Sequence, residues 1–553
     1  MMNFKKIGAL LMASTMALGM LTACGGGGSA EGNTGAAAAD GEKVLNFGCY
    51  KYSDNFDPAI DQNSAWDSMR LGITECLFKF DSEVVAQPQL CDEIVSESED
   101  MTEFVYHIRD GVKFSNGNPC DAQAVADSLT RLYTVTNSDN EFYGTTATSY
   151  ADIASVTADQ EANTITIKLN VPNYNLEGAL CFPYYGIIDV GGDTTDEKHQ
   201  GDVANNQAAG YADLEVIGTG PYVLESYDET TSCGVLHANE NYWKEEVPFD
   251  KVVFTHIAEA DKKAMALQAG EIDLTENITT TADLDALKGN DNFYVSQCTG
   301  VRTGFGYINF KGILANEALR QAILMSIDGQ TMADVTVGGM YTYGPQVLPS
   351  STSFDHSKLN NPFAYDPEKA TKTLDDAGIV DNDGDGIREL DGKNVEITFI
   401  TYVNRCLDTF AEACEPAISG LGIKCNVQVV DDQKIWDVLE AGDFDILNNN
   451  WTTMGVGDPT PFLKNWLGGD AANYNGYQND KYDAALKTLE TEADDAKREE
   501  LVLTMEQQLL DDAAVLVHGY YNSSMISNKA KVTGADIQTI DYYWLSSDIK
   551  PAQ

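Results

Sequence analysis

A chain of 553 residues with 43% hydrophobic content is too long for one core and too apolar for disorder, which predicts two or three globular domains. Its 86 acids against 35 bases leave a formal charge of −51. That balance excludes nucleic acid as a partner, since phosphate binding needs basic surface, and disfavours direct adsorption to an anionic membrane.

The first element in chain order is an address. Lys5 and Lys6 precede a short apolar run, residues 7–20, and then Leu21-Thr22-Ala23-Cys24. The run is too short to span a bilayer, so residues 1–23 read as a signal peptide. A small-residue cleavage site directly before a cysteine resembles the bacterial lipoprotein signal, in which Cys24 is lipidated and becomes the first mature residue. Residues 24–42, rich in Gly, Ser and Ala, read as a flexible tether. Removing residues 1–23 takes away two lysines and no acids, so the mature chain carries −53 and the lipid must do the anchoring.

Beyond the tether the pattern is mixed α/β. Residues 44–48 predict a strand, 65–80 a helix passing into a strand, and 104–108 with 111–114 strands around a turn. Residues 121–132 carry Ala124, Val125, Leu129 and Leu132 at helical spacing behind Asp121 as N-cap. Residues 153–156 and 164–169 predict a strand pair. Helices are expected over 262–269, 317–326, 367–377, 484–491 and 496–511. Residues 395–401, 410–421, 425–430 and 435–441 alternate strand, helix, strand, helix, which predicts a βαβ unit.

Little in the chain carries chemistry. The six histidines are scattered, and there is no His-Glu-x-x-His, no Gly-x-Ser-x-Gly elbow and no phosphate-binding Gly-Lys-Ser/Thr loop. No enzymatic activity is expected; a secreted hydrolase is the alternative from another class. After Cys24, ten cysteines run from Cys49 to Cys425 without a Cys-x-x-Cys pair, and buried thiols are favoured over disulfides. Asp381-Asn382-Asp383-Gly384-Asp385-Gly386 matches the opening of a calcium loop, but position 12 is Gly392 where a bidentate Glu belongs. Asp381, Asp383 and Asp385 are thus candidate ligands of a structural calcium, with a plain acidic turn as the alternative; no other cofactor is expected.

Several segments together resemble the extracytoplasmic solute-binding proteins of ABC importers, in the peptide-, nickel- and metallophore-binding family 5. They are Ile108-Arg109-Asp110-Gly111-Val112-Lys113-Phe114-Ser115-Asn116-Gly117, Gly218-Thr219-Gly220-Pro221-Tyr222, Asn241-Tyr242-Trp243, Gly270-Glu271-Ile272-Asp273, Leu319-Arg320-Gln321-Ala322-Ile323 and Tyr365-Asp366-Pro367-Glu368-Lys369-Ala370. The resemblance spans about residues 43–535. It implies an α/β, bilobal, periplasmic-binding-protein-like fold with an extra domain on the first lobe and a hinged cleft. The implied division is 43–75, 209–299 and 518–553 for the first lobe, 76–208 for the extra domain and 300–517 for the second lobe. In the motifs themselves, the Gly218–Tyr222 run reads as backbone freedom beside a fixed φ, and Arg320 as an ion-pair partner, with Asp328 on the same helical face.

The resemblance also implies a role: a lipid-anchored, monomeric receptor outside the cytoplasm that captures a small peptide or an organic metal chelate and passes it to a membrane permease. Another solute such as a sugar is the alternative ligand. By position, the cleft draws on residues 63–67, 401–405 and 451–458. Ser64, Trp66, Tyr402, Arg405, Trp451, Thr452 and Asp458 are the implied ligand residues, with Arg405 placed to pair a ligand carboxylate. Peptide-binding relatives hold the peptide ammonium with an Asp a few residues before a Pro; here Asp458 directly precedes Pro459. The combination of Thr401, Tyr402, Arg405 and Gly457-Asp458-Pro459 is similar to the nickel and metallophore branch. That branch's Leu-Pro-Arg-like segment is replaced here by Cys181-Phe182-Pro183-Tyr184-Tyr185.

Overall fold

The computed structural model describes residues 41–53, 55–137, 143–144, 146–192, 194, 216–431 and 434–553. The signal peptide, Cys24 and nearly all of the tether lie outside them. Among the described residues no helix is long and apolar enough to cross a membrane.

One eleven-stranded sheet runs through the molecule. Its spatial order is Lys424–Val430, Glu396–Tyr402, Ile446–Thr452, Phe293–Ile308, Val515–Asn528, Leu274–Glu276, Val44–Cys49, Lys251–His256, Cys233–Ala238 and Tyr222–Asp228, with Tyr341–Thr342 beside Val515–Asn528. The two long central strands, of 16 and 14 residues, join the two halves and pair antiparallel. Their register breaks between Thr299 and Thr303 and again between Gly304 and Phe305. At the first break Val301 turns its backbone to other partners: its N–H donates to Thr539 O at 3.2 Å, and its carbonyl accepts from Thr453 N at 2.8 Å. A bulge of this kind leaves residues unpaired by the ladder and re-aims their side chains. A separate four-stranded antiparallel sheet, Cys91–Glu97, Glu103–Ile108, Thr164–Leu169 and Ile153–Asp159, has the helix Ala122–Thr136 packed on it around Phe104, Tyr106, Val125 and Leu129. The whole is the mixed α/β, two-lobed architecture that the resemblance implies.

Local signals explain most boundaries. Asp121 accepts from Ala124 N at 3.1 Å and starts the helix Ala122–Thr136. Asn316 does the same for Leu319 N at 3.1 Å, and the helix is Glu317–Ser326. Asp366 caps the helix Pro367–Asp376, whose first residue is a proline that needs no N–H partner. The strand Glu396–Tyr402, helix Leu407–Ser419 and strand Lys424–Val430 form the βαβ unit, with the strands adjacent and parallel from Glu396↔Lys424 to Tyr402↔Val430. Residues 111–114 make only an isolated bridge, Lys113↔Pro119, where a strand was expected.

Two motif readings are corrected. Gly218 and Gly220 do not supply left-handed φ; they are absent from the positive-φ positions. They are glycines because another backbone lies against them: a Cβ at Gly218 would sit 2.0 Å from Ile73 O, and one at Gly220 would sit 2.2 Å from Gly72 O. Arg320 is not Asp328's partner, because the helix ends at Ser326. Its guanidinium donates to the carbonyls of Leu314 at 2.8 Å and Ala315 at 2.9 Å and lies 4.3 Å from the Phe310 ring centroid. Asp328 caps the next turn by accepting from Thr331 N at 3.0 Å.

All ten cysteines of the described residues are free, seven of them buried. That agrees with the preference for thiols over disulfides.

The close approach at Gly218 generates a test. A methyl group there meets a carbonyl oxygen that cannot rotate away, and overpacking of this kind costs about 1–3 kcal/mol. Gly218→Ala should lower the urea midpoint with an unchanged slope. A midpoint equal to wild type would mean that the strand can shift to admit a Cβ.

Candidate functional site

The site grows from the helix Gln62–Arg70, which Asp61 caps by accepting from Ser64 N at 2.7 Å. Trp66 and Arg70 stand four residues apart and so share a face. Arg70 is buried between two indoles, its guanidinium carbon 4.8 Å from the Trp66 ring centroid and 4.3 Å from that of Trp544. Its Nε donates to Asp541 O at 2.8 Å, Nη2 to Asp541 Oδ2 at 3.0 Å and Nη1 to Tyr50 Oη at 2.9 Å. The Tyr50 hydroxyl donates in turn to Asp67. Asp67 also accepts from Ser53 N at 2.8 Å, yet burial outweighs these bonds and pushes its carboxyl up to about 6.

A second guanidinium enters from the other half. Arg302 sits at the register break, opposite Thr452 in the neighbouring strand Ile446–Thr452. Its Nη1 donates to Asn450 Oδ1 at 2.8 Å, its Nη2 is 4.0 Å from Asp541 Oδ2, and its guanidinium carbon is 5.6 Å from the Trp66 centroid. Burial, reinforced by repulsion from Arg405, pushes its pKa down to about 10. Asp541 shows the complementary effect. Burial works to raise its pKa, but Arg70, Arg302 and Arg405 outweigh burial and hold the carboxyl below the usual range.

Beside this cluster opens a cavity of about 210 Å³. It is lined by Gln62, Trp66, Tyr150 and Phe182, by Arg302, by Asn450 to Thr453 with Gly455, Val456 and Asp458, and by Trp436 and Phe462. The rings touch in chains. Trp66 meets Phe182 at 6.3 Å and Phe182 meets Tyr150 at 4.6 Å; opposite, Trp436 meets Trp451 at 6.4 Å and Trp451 meets Phe462 at 6.0 Å. Such walls favour flat or apolar ligand groups, while the guanidinium supplies a polar anchor.

The expected site residues divide. Trp66, Trp451, Thr452 and Asp458 line the cavity. Asp458 is already engaged: Arg498 pairs with it, and it accepts from Thr460 N at 2.8 Å. Ser64, Tyr402 and Arg405 are not in the wall. Ser64 is fully buried. The Tyr402 hydroxyl accepts from Asn450 Nδ2 at 2.8 Å, behind the wall. Arg405 lies over the Tyr521 ring at 5.4 Å, and its carbonyl accepts from Tyr341 Oη at 2.8 Å. Arg405 and Cys406 both hold positive φ, 43° and 62°, a left-handed pair of non-glycine residues whose strain is held by that tyrosine bond and the packing around it. Sequence reasoning missed Arg302, although it is the one charge in the run Gly300-Val301-Arg302-Thr303-Gly304-Phe305-Gly306-Tyr307-Ile308, a signal of a cation carried into a buried strand.

The acidic turn lies elsewhere, on the surface. The carboxylate oxygens of Asp381, Asp383 and Asp385 fall within 4.8 Å of one another, and all three residues are exposed. Asp381 accepts from Gly384 N at 2.7 Å and Gly386 N at 2.9 Å, and Asp385 accepts from Ile387 N at 2.8 Å and from Asn394 Nδ2 at 2.7 Å, and these bonds close the turn.

The family model for bacterial extracellular solute-binding proteins, family 5, matches residues 85–474, and the chain belongs to that family. Among curated relatives it is similar to the nickel-binding periplasmic protein of Escherichia coli K12, 25% identical over 78% of this chain and 80% of that protein. It is also similar to the probable D,D-dipeptide-binding periplasmic protein DdpA of the same strain, 24% identical over 78% and 79%. Among solved structures, NikA from Brucella suis in complex with Fe(III)-EDTA aligns with a TM-score of 0.79 at 20% identity, covering 92% of this chain and all of that one. AppA from Bacillus subtilis in complex with a nonapeptide aligns with a TM-score of 0.73 at 19% identity, over 93% and 100%.

Asp541 is the testable centre of the cluster. Its depressed pKa means that its contribution to stability is complete above the ordinary carboxylate value of about 3.9 and is lost as pH falls through the lower folded-state value. Removing one partner of a buried ion pair costs about 3–5 kcal/mol. Asp541→Asn should therefore lower the denaturation midpoint at pH 7 and flatten the loss of stability below pH 4. Equal midpoints at pH 7 would show that the guanidiniums do not need this carboxylate.

Proposed function

We propose that this protein is the substrate-binding component of an ABC importer, which captures a small peptide or an organic metal chelate outside the cytoplasm and delivers it to a membrane permease. The observation that carries this reading is the position of the cavity. It has one aromatic wall from each half of the molecule and sits at the register break of the strands that join the halves. Rotation about that break brings the walls together on a ligand. In this reading the first lobe comprises 43–75, 209–299 and 518–553, the extra domain 76–208 and the second lobe 300–517, and the protein acts as a monomer. Trp66, Trp451 and Thr452 form the contact surface, and Arg405 stands behind Arg302 as a second cation. The relatives named for nickel and for dipeptides support both ligand classes.

Ligand capture is tested by adding a di- and tripeptide pool, and separately nickel with histidine, to the purified protein. A bound ligand should raise the melting temperature in step with its concentration and shrink the radius of gyration. A melting temperature and radius unmoved by either pool would overturn the reading.

Cys24 anchors the protein in this reading, through the lipid added after cleavage. A single acyl chain binds a bilayer only marginally, so stable attachment requires more than one. Cys24→Ala should release the protein to the soluble fraction or leave it uncleaved. Membrane fractionation identical to wild type would remove the lipid anchor from the proposal.

A further inference from the structure

We propose that residues 454–457 are a plug that holds the two halves shut, and that its socket, Asn175, Gly178 and Tyr542, sets how fast a ligand leaves without touching it. The inference rests on the ligand-capture reading and adds to it the residues that govern release.

The plug is a tight turn with a fixed base. Thr453 N and Oγ1 both donate to Val301 O, at 2.8 and 3.1 Å, which ties the base to the register break of the central strands. The turn closes where Gly457 N donates to Met454 O at 2.9 Å, with Gly457 at φ 71°, a left-handed value that suits glycine. Met454 and Val456 are buried, but not in the half of the chain that carries them. They join the apolar cluster of Phe80, Leu176 and Phe182. Among the described residues of 302–517, no other buried apolar side chain joins that cluster.

The socket is shaped for this turn. Asn175 Nδ2 donates to Val456 O at 2.6 Å, and Tyr542 Oη donates to Gly455 O at 3.0 Å. Gly178 leaves the space: a Cβ there would sit 2.3 Å from Val456 O and 2.5 Å from Asn175 Oδ1. At the tip, a Cβ on Gly457 would sit 2.9 Å from Phe80 Cε1.

In the proposed division the plug belongs to the second lobe, Asn175 and Gly178 to the extra domain and Tyr542 to the first lobe. The halves therefore part only when the turn is withdrawn. Withdrawal breaks both socket hydrogen bonds and exposes Met454 and Val456. Gly455 and Val456 also line the cavity, whereas Asn175, Gly178 and Tyr542 do not. A ligand packed against that wall braces the plug, and the seated plug holds the wall to the ligand. Opening of such a closure is a step that can limit release.

The test compares wild type with Gly178→Ala, Asn175→Ala and Tyr542→Phe. The probes are nickel with histidine and the peptides of the previous section. Association and release are followed by stopped-flow tryptophan fluorescence, since Trp66, Trp436 and Trp451 line the cavity. Gly178→Ala should speed release about tenfold or more, because its methyl meets a backbone oxygen of the plug. Association should stay within about twofold of wild type, since it begins from the open form. Asn175→Ala and Tyr542→Phe each remove one donor and should speed release about 2- to 10-fold. If Gly178→Ala does not fold, these two variants carry the test. A purely structural Gly178 would lower the urea midpoint and leave release at the wild-type rate, and that result overturns the plug. Slower association with unchanged release overturns it as well. Probes that bind wild type and leave all three variants at the same rate overturn the plug while leaving ligand capture intact. No binding of any probe to wild type overturns the capture reading and the plug with it.

Discussion

The rest of the site depends on how one buried carboxylate is shared. Asp541 comes from the C-terminal segment, Arg70 from the helix Gln62–Arg70, Arg302 from a long central strand, and Arg405 from the loop before the helix Leu407–Ser419. Three positive charges gathered around one buried carboxylate call for further compensation. The protein provides it through ring faces: Trp66 and Trp544 around Arg70, Trp66 again beside Arg302, and Tyr521 beneath Arg405. The aromatic residues that line the cavity and those that stabilise the cations are thus partly the same. Trp66 serves both, which couples the shape of the pocket to its electrostatics.

The strands that join the halves explain why the cavity sits where it does. A regular ladder from Phe293 to Ile308 would present its side chains alternately to two fixed faces. The break between Thr299 and Thr303 releases Val301 to bond with residues 453 and 539, and this draws the loop after Thr452 and the C-terminal segment to the same point. Arg302 leaves the ladder with Val515–Asn528 at this break and keeps its pairing with Thr452 on the other side. The joint between the halves and the cation in the cavity wall are therefore one local feature of the backbone.

Local structure was legible in the sequence where its causes are local. The helices Glu317–Ser326 and Ile435–Ala441 fall at their expected bounds because apolar spacing, and for the first an N-capping Asn316, are contained within a few residues. The βαβ unit followed from alternation of period. The central strands gave no such signal: residues 293–308 mix small, polar and aromatic types without alternation, and their pairing is set by the sheet around them. The site was legible in part. Trp66 and Trp451 could be placed by likeness to relatives, but Arg70 is matched with Asp541 across 471 residues, and no spacing reveals that. Asp458 likewise looked available until Arg498, on a helix 40 positions later, was found against it. Gly218 and Gly220 were read as backbone freedom because a sequence does not show which backbone passes alongside.

The path of the chain through the sheet has a consequence for the order of assembly. The strand Leu274–Glu276 pairs on one side with Val44–Cys49 and on the other with Val515–Asn528, so the half that begins first is the half completed last. Everything from 300 to 517 is synthesised between those two events. A chain emerging from its N-terminus holds Arg70 without its carboxylate and an open sheet edge at Leu274–Glu276 until the final forty or so residues arrive. While the chain is incomplete, the first half therefore lacks both its last sheet partner and the carboxylate of Arg70. One C-terminal stretch supplies both, through the strand Val515–Asn528 and Asp541.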